Sequence, residues 1–124
     1  MKILLAVPDR DLLQAYERLL GLNGHEVTAV FDGIQAVTQT AGHCYDAAVF
    51  DVKLSRVSPE QLLELFREER IPAVILSKTP KDRRTFDEKY PGNRYLNYPF
   101  LPEELEEKLK EIASAQEWQV TENE

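Results

Sequence analysis

Asp51 closes an apolar run, Ala47–Phe50, that has the length of a buried strand. A carboxylate at such an exit has two uses: it accepts backbone N–H bonds from the loop that follows, or it is a reactive group. Which applies depends on what the other strand ends bring beside it. Those ends are Val7, Pro8 and Asp9 after a first apolar run, Phe31 and Asp32 after a second, Ser77 and Lys78 after a fourth, and Tyr98 and Pro99 after a fifth. Asp9, just past Pro8, also suits the N-cap of a following helix. His25, His43 and Cys44 have no spacing that suits a metal, and no second cysteine supports one.

The chain that must position these groups has 124 residues, most simply one domain with a sizeable core. Twenty-two acidic against 15 basic residues give a formal net charge of −7, which argues against binding nucleic acid, whose phosphates need a basic patch. A single cysteine excludes an internal disulfide and fits a reducing cytoplasm. The opening "MKILLAVPDR" is too short for a signal h-region, and no apolar run is long enough to span a membrane.

Strand and helix signals alternate along the chain. "KILLAV" is a continuous apolar run, as in a strand buried on both faces. "DRDLLQAYERLLGL" places Leu12, Leu13, Tyr16, Leu19 and Leu20 on one helical face, and Asn23-Gly24 stops it. "HEVTAVF" reads as a strand, Asp32-Gly33 as a turn, and "IQAVTQTA" as a short helix with Ile34, Ala36 and Val37 inward. After the strand ending at Asp51, Ser58 is an N-cap, Pro59 a first helical residue and Gln61 the partner in a capping box. "PAVILS" is a fourth strand, "PKDRRTFDEKY" a short or irregular helix, and "RYLNY" a more polar fifth strand, expected at an edge. Leu105, Leu109 and Ile112 stripe a last helix whose early glutamates favour its N-terminus. The fold class is therefore α/β: a five-stranded parallel sheet, doubly wound, with ligands bound beyond the carboxyl ends of the strands.

In this order and spacing, "GHEVTAVFDGIQAV", "YDAAVFD", "IPAVILS" and "YLNYPFLPEEL" resemble the receiver domain of bacterial two-component response regulators (CheY-like) over about residues 2–113. The resemblance implies a flavodoxin-like sheet of order 2-1-3-4-5 spanning residues 1–113, with 114–124 as a frayed or disordered tail. It implies that Asp51 is the phosphoacceptor position for a histidine kinase. Ser77 and Tyr95 fall on the family's switch positions, a hydroxyl on strand four and an aromatic on strand five. Phosphorylation in that family draws the hydroxyl toward the phosphoryl and swings the aromatic inward.

Three of the family's five catalytic-site positions are altered, and two loop positions besides. The acidic pair that holds Mg²⁺ with the phosphoacceptor falls on Val7 and Pro8, and the lysine before Pro-Phe falls on Tyr98. Ser55 and Pro59 stand where a proline and a glycine are usual. An acyl phosphate adds up to about −2 of charge. A unit charge left uncompensated at about 4 Å is worth about 4 kcal/mol at an effective dielectric near 20. Losing both cations therefore points to a degenerate (pseudo-) receiver, not an enzyme, that needs no cofactor and acts by binding a protein, either a histidine kinase or an output protein.

The competing expectation is a working phosphoacceptor, with Asp9 bending in beside Asp51 as a weak Mg²⁺ site and Lys53 or Lys78 as substitute cation. Lys53 or Lys78 could also form a salt bridge with Asp51 that mimics a locked state, or be solvated. The polar segment 79–94, with Arg83 and Arg84, is a solvated or contact face. Trp118 sits on a frayed helix end or docks on a partner or another copy. A homodimer through helix four, strand five and helix five, a cytoplasmic setting and the absence of an output domain complete the expectations. A flavodoxin-like FMN protein would need a hydroxyl- and glycine-rich loop after strand one, and "VPDRDLL" has none; a hydrolase would need a nucleophile elbow.

Overall fold

The computed structural model describes residues 1–89 and 93–122; of residues 80–83, 85 and 116–122 only the backbone is described. Five strands alternate with five helices: β1 (Lys2–Ala6), α1 (Arg10–Leu22), β2 (Glu26–Val30), α2 (Gly33–Gly42), β3 (Ala47–Asp51), α3 (Pro59–Glu68), β4 (Ala73–Ser77), α4 (Pro80–Lys89), β5 (Arg94–Asn97) and α5 (Pro102–Glu122). The strands form one parallel sheet in the order β2-β1-β3-β4-β5, as expected, with β5 at an edge.

Strand alternation divides the core into two layers. Ile3, Leu5, Val7, Val49, Val74, Leu76 and Leu96 face α1 and α5, where Leu13, Tyr16, Leu20, Leu105, Leu109 and Ile112 meet them. Leu4, Ala6, Phe50, Ile75 and Tyr95 face the other way, against Ala36 of α2, Leu62, Leu63 and Phe66 of α3, and Phe86 of α4. With both faces covered, β3 and β4 are buried at every position, which is why they read as continuous apolar runs.

The helix starts follow from their caps. Asp9 Oδ1 accepts from the backbone N–H of Asp11 and Leu12 at 3.0 and 3.2 Å and caps α1. Ser58 and Gln61 form the expected capping box on α3. At the far end of α1, Gly24 takes the left-handed conformation (φ 88°) that ends the helix.

One expectation fails. Ile34 and Val37 are not inward: they are 49% and 37% exposed, and α2 buries Gly33, Ala36 and Thr40 instead. The cause lies at Gly33, whose N–H donates to the Ser55 carbonyl at 2.9 Å. A Cβ there would meet Val57 Cβ at 2.6 Å, so the β3–α3 loop rests on the bare glycine. That contact turns Gly33 inward and carries Ile34, one residue on, out of the interface. The backbone of helix α5 is helical to Glu122. The side chains of Trp118 and Arg83 lie outside the described residues.

Candidate functional site

Asp51 ends β3 at the carboxyl edge of the sheet and is 3% exposed. A turn follows at once: the Leu54 N–H donates to the Asp51 carbonyl at 3.2 Å, and the Lys53 N–H donates to Asp51 Oδ1 at 2.8 Å. The second carboxylate oxygen is also engaged. The Tyr98 phenol donates to Asp51 Oδ2 at 3.0 Å. Each oxygen of the strand-end carboxylate thus has a donor from within the chain.

Tyr98 reaches Asp51 because it follows β5 on the α1–α5 side of the sheet, the side on which alternation also places Asp51. Its ring is held from behind by an aromatic group. Tyr16 of α1 lies 6.4 Å from Tyr98 and 4.9 Å from Phe100, and Tyr98 lies 5.6 Å from Phe100, all stacked. Burial, then the charge of Asp51, then the hydrogen bond to it, followed by Tyr16 and Asp9, hold the Tyr98 phenol far above the ordinary tyrosine range. Burial also raises Tyr16. At neutral pH Tyr98 is therefore a firm donor.

The other expected residues separate. Val7 is fully buried in the α1–α5 layer, and Pro8 brings no ligating side chain. Asp9 is exposed and uses Oδ1 to cap α1, although its charge is felt at Tyr98. Lys53 engages Asp51 through its backbone N–H while its side chain is exposed, and Lys78 is exposed too. Ser77 is fully buried, and its hydroxyl turns to β5: it donates to Asn97 Oδ1 at 2.8 Å, with the Thr79 carbonyl at 3.3 Å. Tyr95 is buried in the opposite layer, with Phe86 and Ile75.

Asn97 is the residue that the sequence reading lacks. Its signal is positional: Ser77 and Asn97 are register partners across β4 and β5, and a polar residue opposite a buried hydroxyl is its natural acceptor. The histidines form no site with Cys44. His25 Nε2 lies 3.0 Å from Glu106 Oε2 at the opposite end of the sheet, His43 Nδ1 lies 3.1 Å from the Gln39 carbonyl, and Cys44 is exposed. Among the described residues no group of three His, Cys, Asp or Glu could hold a metal ion, and no helix is long and apolar enough to cross a membrane.

Comparison with known proteins points one way. No family model matches the chain. The response regulator MprA of Mycobacterium avium is 29% identical over 117 residues, which cover 90% of this chain and 50% of that protein. The chain spans about half the length of the curated relatives it matches. The receiver domain of the Francisella response regulator 1452 is 26% identical with a TM-score of 0.81, covering 93% of this chain and 98% of that one. The receiver domain of the Pseudomonas aeruginosa sensor histidine kinase PA1611, solved with a magnesium ion coordinated in its active site cleft, is 29% identical with a TM-score of 0.81, covering 90% and 97%. Sheet order, the place of Asp51 and these relatives agree: in fold and in sequence the chain is similar to the CheY-like receiver domains of response regulators.

Proposed function

We propose that this receiver domain is a degenerate one: a signalling module that binds a protein partner, a histidine kinase or an output protein, without needing phosphorylation at Asp51. The observation that carries this reading is the Tyr98–Asp51 hydrogen bond. A neutral phenol stands where the family resemblance places a lysine, and it cannot neutralise a phosphoryl group. It also occupies the carboxylate oxygen that a phosphodonor or a metal would use.

The donor set supports the same reading. Mg²⁺ takes hard oxygen ligands in octahedral geometry, commonly one or two carboxylates with waters and phosphate. Here one strand-end carboxylate has both oxygens in hydrogen bonds, Val7 is apolar and buried, and Asp9 is engaged at the α1 cap. These residues do not suit the ion. We place the domain in the cytoplasm, as a non-enzymatic partner in two-component signalling, with the α4–β5–α5 face as the surface for pairing with a second copy.

A titration with MgCl₂, read as melting temperature, tests this reading. Binding with a dissociation constant below about 1 mM stabilises the fold by mass action at millimolar concentrations. No saturable rise is expected; a saturable rise that Asp51→Asn abolishes would overturn the degenerate site.

A further inference from the structure

Strand β2 is an edge of the sheet and pairs with β1 alone. Its Glu26 N–H donates to the Met1 carbonyl, and its Val30 carbonyl accepts from the Val7 N–H. Alternation then aims the main-chain groups of Val27 and Ala29 away from β1, and among the described residues no hydrogen bond engages them. Phe31, next in that row, already gives its N–H to Gln35 Oε1 at 2.9 Å. Beside the edge a groove of about 330 Å³ runs between β2 and α2, lined by Ala29, Phe31, Ile34, Gln35, Thr38 and Gln39 among others. The outward-turned Ile34 thus faces this groove. None of these residues is charged, and from Val27 to Tyr45 the only Asp, Glu, Lys or Arg is Asp32, in a chain of which 30% is charged. Sheet edges are ordinarily blunted by charge or proline; this one is not.

We propose that the β2 edge takes an extended segment of a protein partner as an added strand: an uncharged, apolar and hydroxyl-bearing stretch flanked at both ends by basic residues. The main-chain groups of Val27 and Ala29 supply the ladder, and Ile34 and Thr38, one turn apart on α2, line the groove for the segment's side chains. Charge selects the occupant. Glu26 is exposed at the start of β2 and Asp32 follows its end, so acids bracket the uncharged strand, and the net charge of −7 draws a cationic segment to it. A second copy fits worse. Antiparallel pairing of two β2 strands through Val27 and Ala29 sets Glu26 of one diagonal to Asp32 of the other, within reach of like-charge repulsion. The inference takes from the proposed function only the expectation of a protein partner.

Fluorescence anisotropy with labelled synthetic peptides tests it: KKVTVTVKK, EEVTVTVEE, and KKVTVTVKK N-methylated throughout its core, which removes the ladder donors. The unmethylated basic peptide is expected to bind saturably and about ten-fold tighter than the other two. Glu26→Lys and Ile34→Lys, both at exposed positions, are each expected to weaken it about ten-fold. In the unmodified protein the bound peptide is expected to slow hydrogen exchange of the Val27 and Ala29 amides about ten-fold or more. No saturable binding of the basic peptide, equal binding of the methylated one, or exchange unchanged at these two amides would overturn the proposal. Protection of the same amides on concentrating the protein alone would make the occupant a second copy and refute the partner segment. Phosphorylation of the unmodified protein at Asp51 would end the degenerate reading while leaving these outcomes intact, so the two failures are distinguishable.

Discussion

Tyr98 donates a 3.0 Å hydrogen bond to Asp51 Oδ2 across the carboxyl edge of the sheet, and the Lys53 N–H takes the other oxygen at 2.8 Å. The carboxylate at the end of β3 is thus a loop cap that also ties β5 to β3. Removing the phenol oxygen alone leaves a nearly buried acceptor short of one donor, which costs about 1–3 kcal/mol. Tyr98→Phe keeps the stack on Tyr16 and Phe100, so a urea unfolding curve reads the lost bond rather than lost packing. An unchanged midpoint would mean that the bond contributes nothing.

Substitutions at Asp51 separate cap from phosphoacceptor. In Asp51→Asn the amide oxygen still accepts from the Lys53 N–H, and the Tyr98 hydroxyl rotates to accept from the amide nitrogen, since a phenol both donates and accepts. The expected cost is below about 1 kcal/mol, with partner affinity unchanged. Asp51→Ala strands both donors and is expected to cost about 1–3 kcal/mol. Loss of signalling in a fully stable Asp51→Asn protein would reject the cap.

Alkaline pH probes the same bond. The Tyr98 phenol titrates well above its unfolded value of 10.0, so the fold favours its neutral form. That contribution is fully present below pH about 10 and is lost as pH rises beyond it, because the unfolded phenol then releases its proton and the folded one does not. Tyr16 adds a slope of the same sign. Stability is expected to fall above pH about 10, and to fall less steeply in Tyr98→Phe. Identical slopes in the two proteins would contradict the assignment.

Gly33→Ala is expected to destabilise by about 1–3 kcal/mol through overpacking against Val57 and the Ser55 carbonyl, although alanine is the better helix former. The measurement is the thermal midpoint. A stabilised variant would show that the β3–α3 loop moves aside freely.

The parallel sheet and most of the core were legible because they depend on patterns within single elements: apolar runs at β1, β3 and β4, the stripe of α5, and the capping box at Ser58 and Gln61; the strand order came from the family resemblance alone. The position of Asp51 was legible for the same reason. What was not legible depends on contacts between elements. The outward turn of Ile34 follows from a loop more than twenty residues along the chain, at Ser55 and Val57, resting on Gly33. Tyr98 could be read as a lysine position without its cation, yet its hydrogen bond needs the α1 and β5–α5 aromatics to aim the ring. Asn97 becomes meaningful only once the β4–β5 register sets it opposite Ser77.

The central claim is that Asp51 is engaged by Tyr98 and does not accept phosphate. Incubating the protein with acetyl phosphate and Mg²⁺ and recording its intact mass tests this most directly, with Val7→Asp, Pro8→Asp and Tyr98→Lys combined in a second protein to restore the missing acids and the cation. The unmodified protein is expected to gain no phosphoryl group, and the triple variant to gain one that Asp51→Asn removes. A stoichiometric phosphoryl adduct on the unmodified protein, absent in Asp51→Asn, would contradict the account.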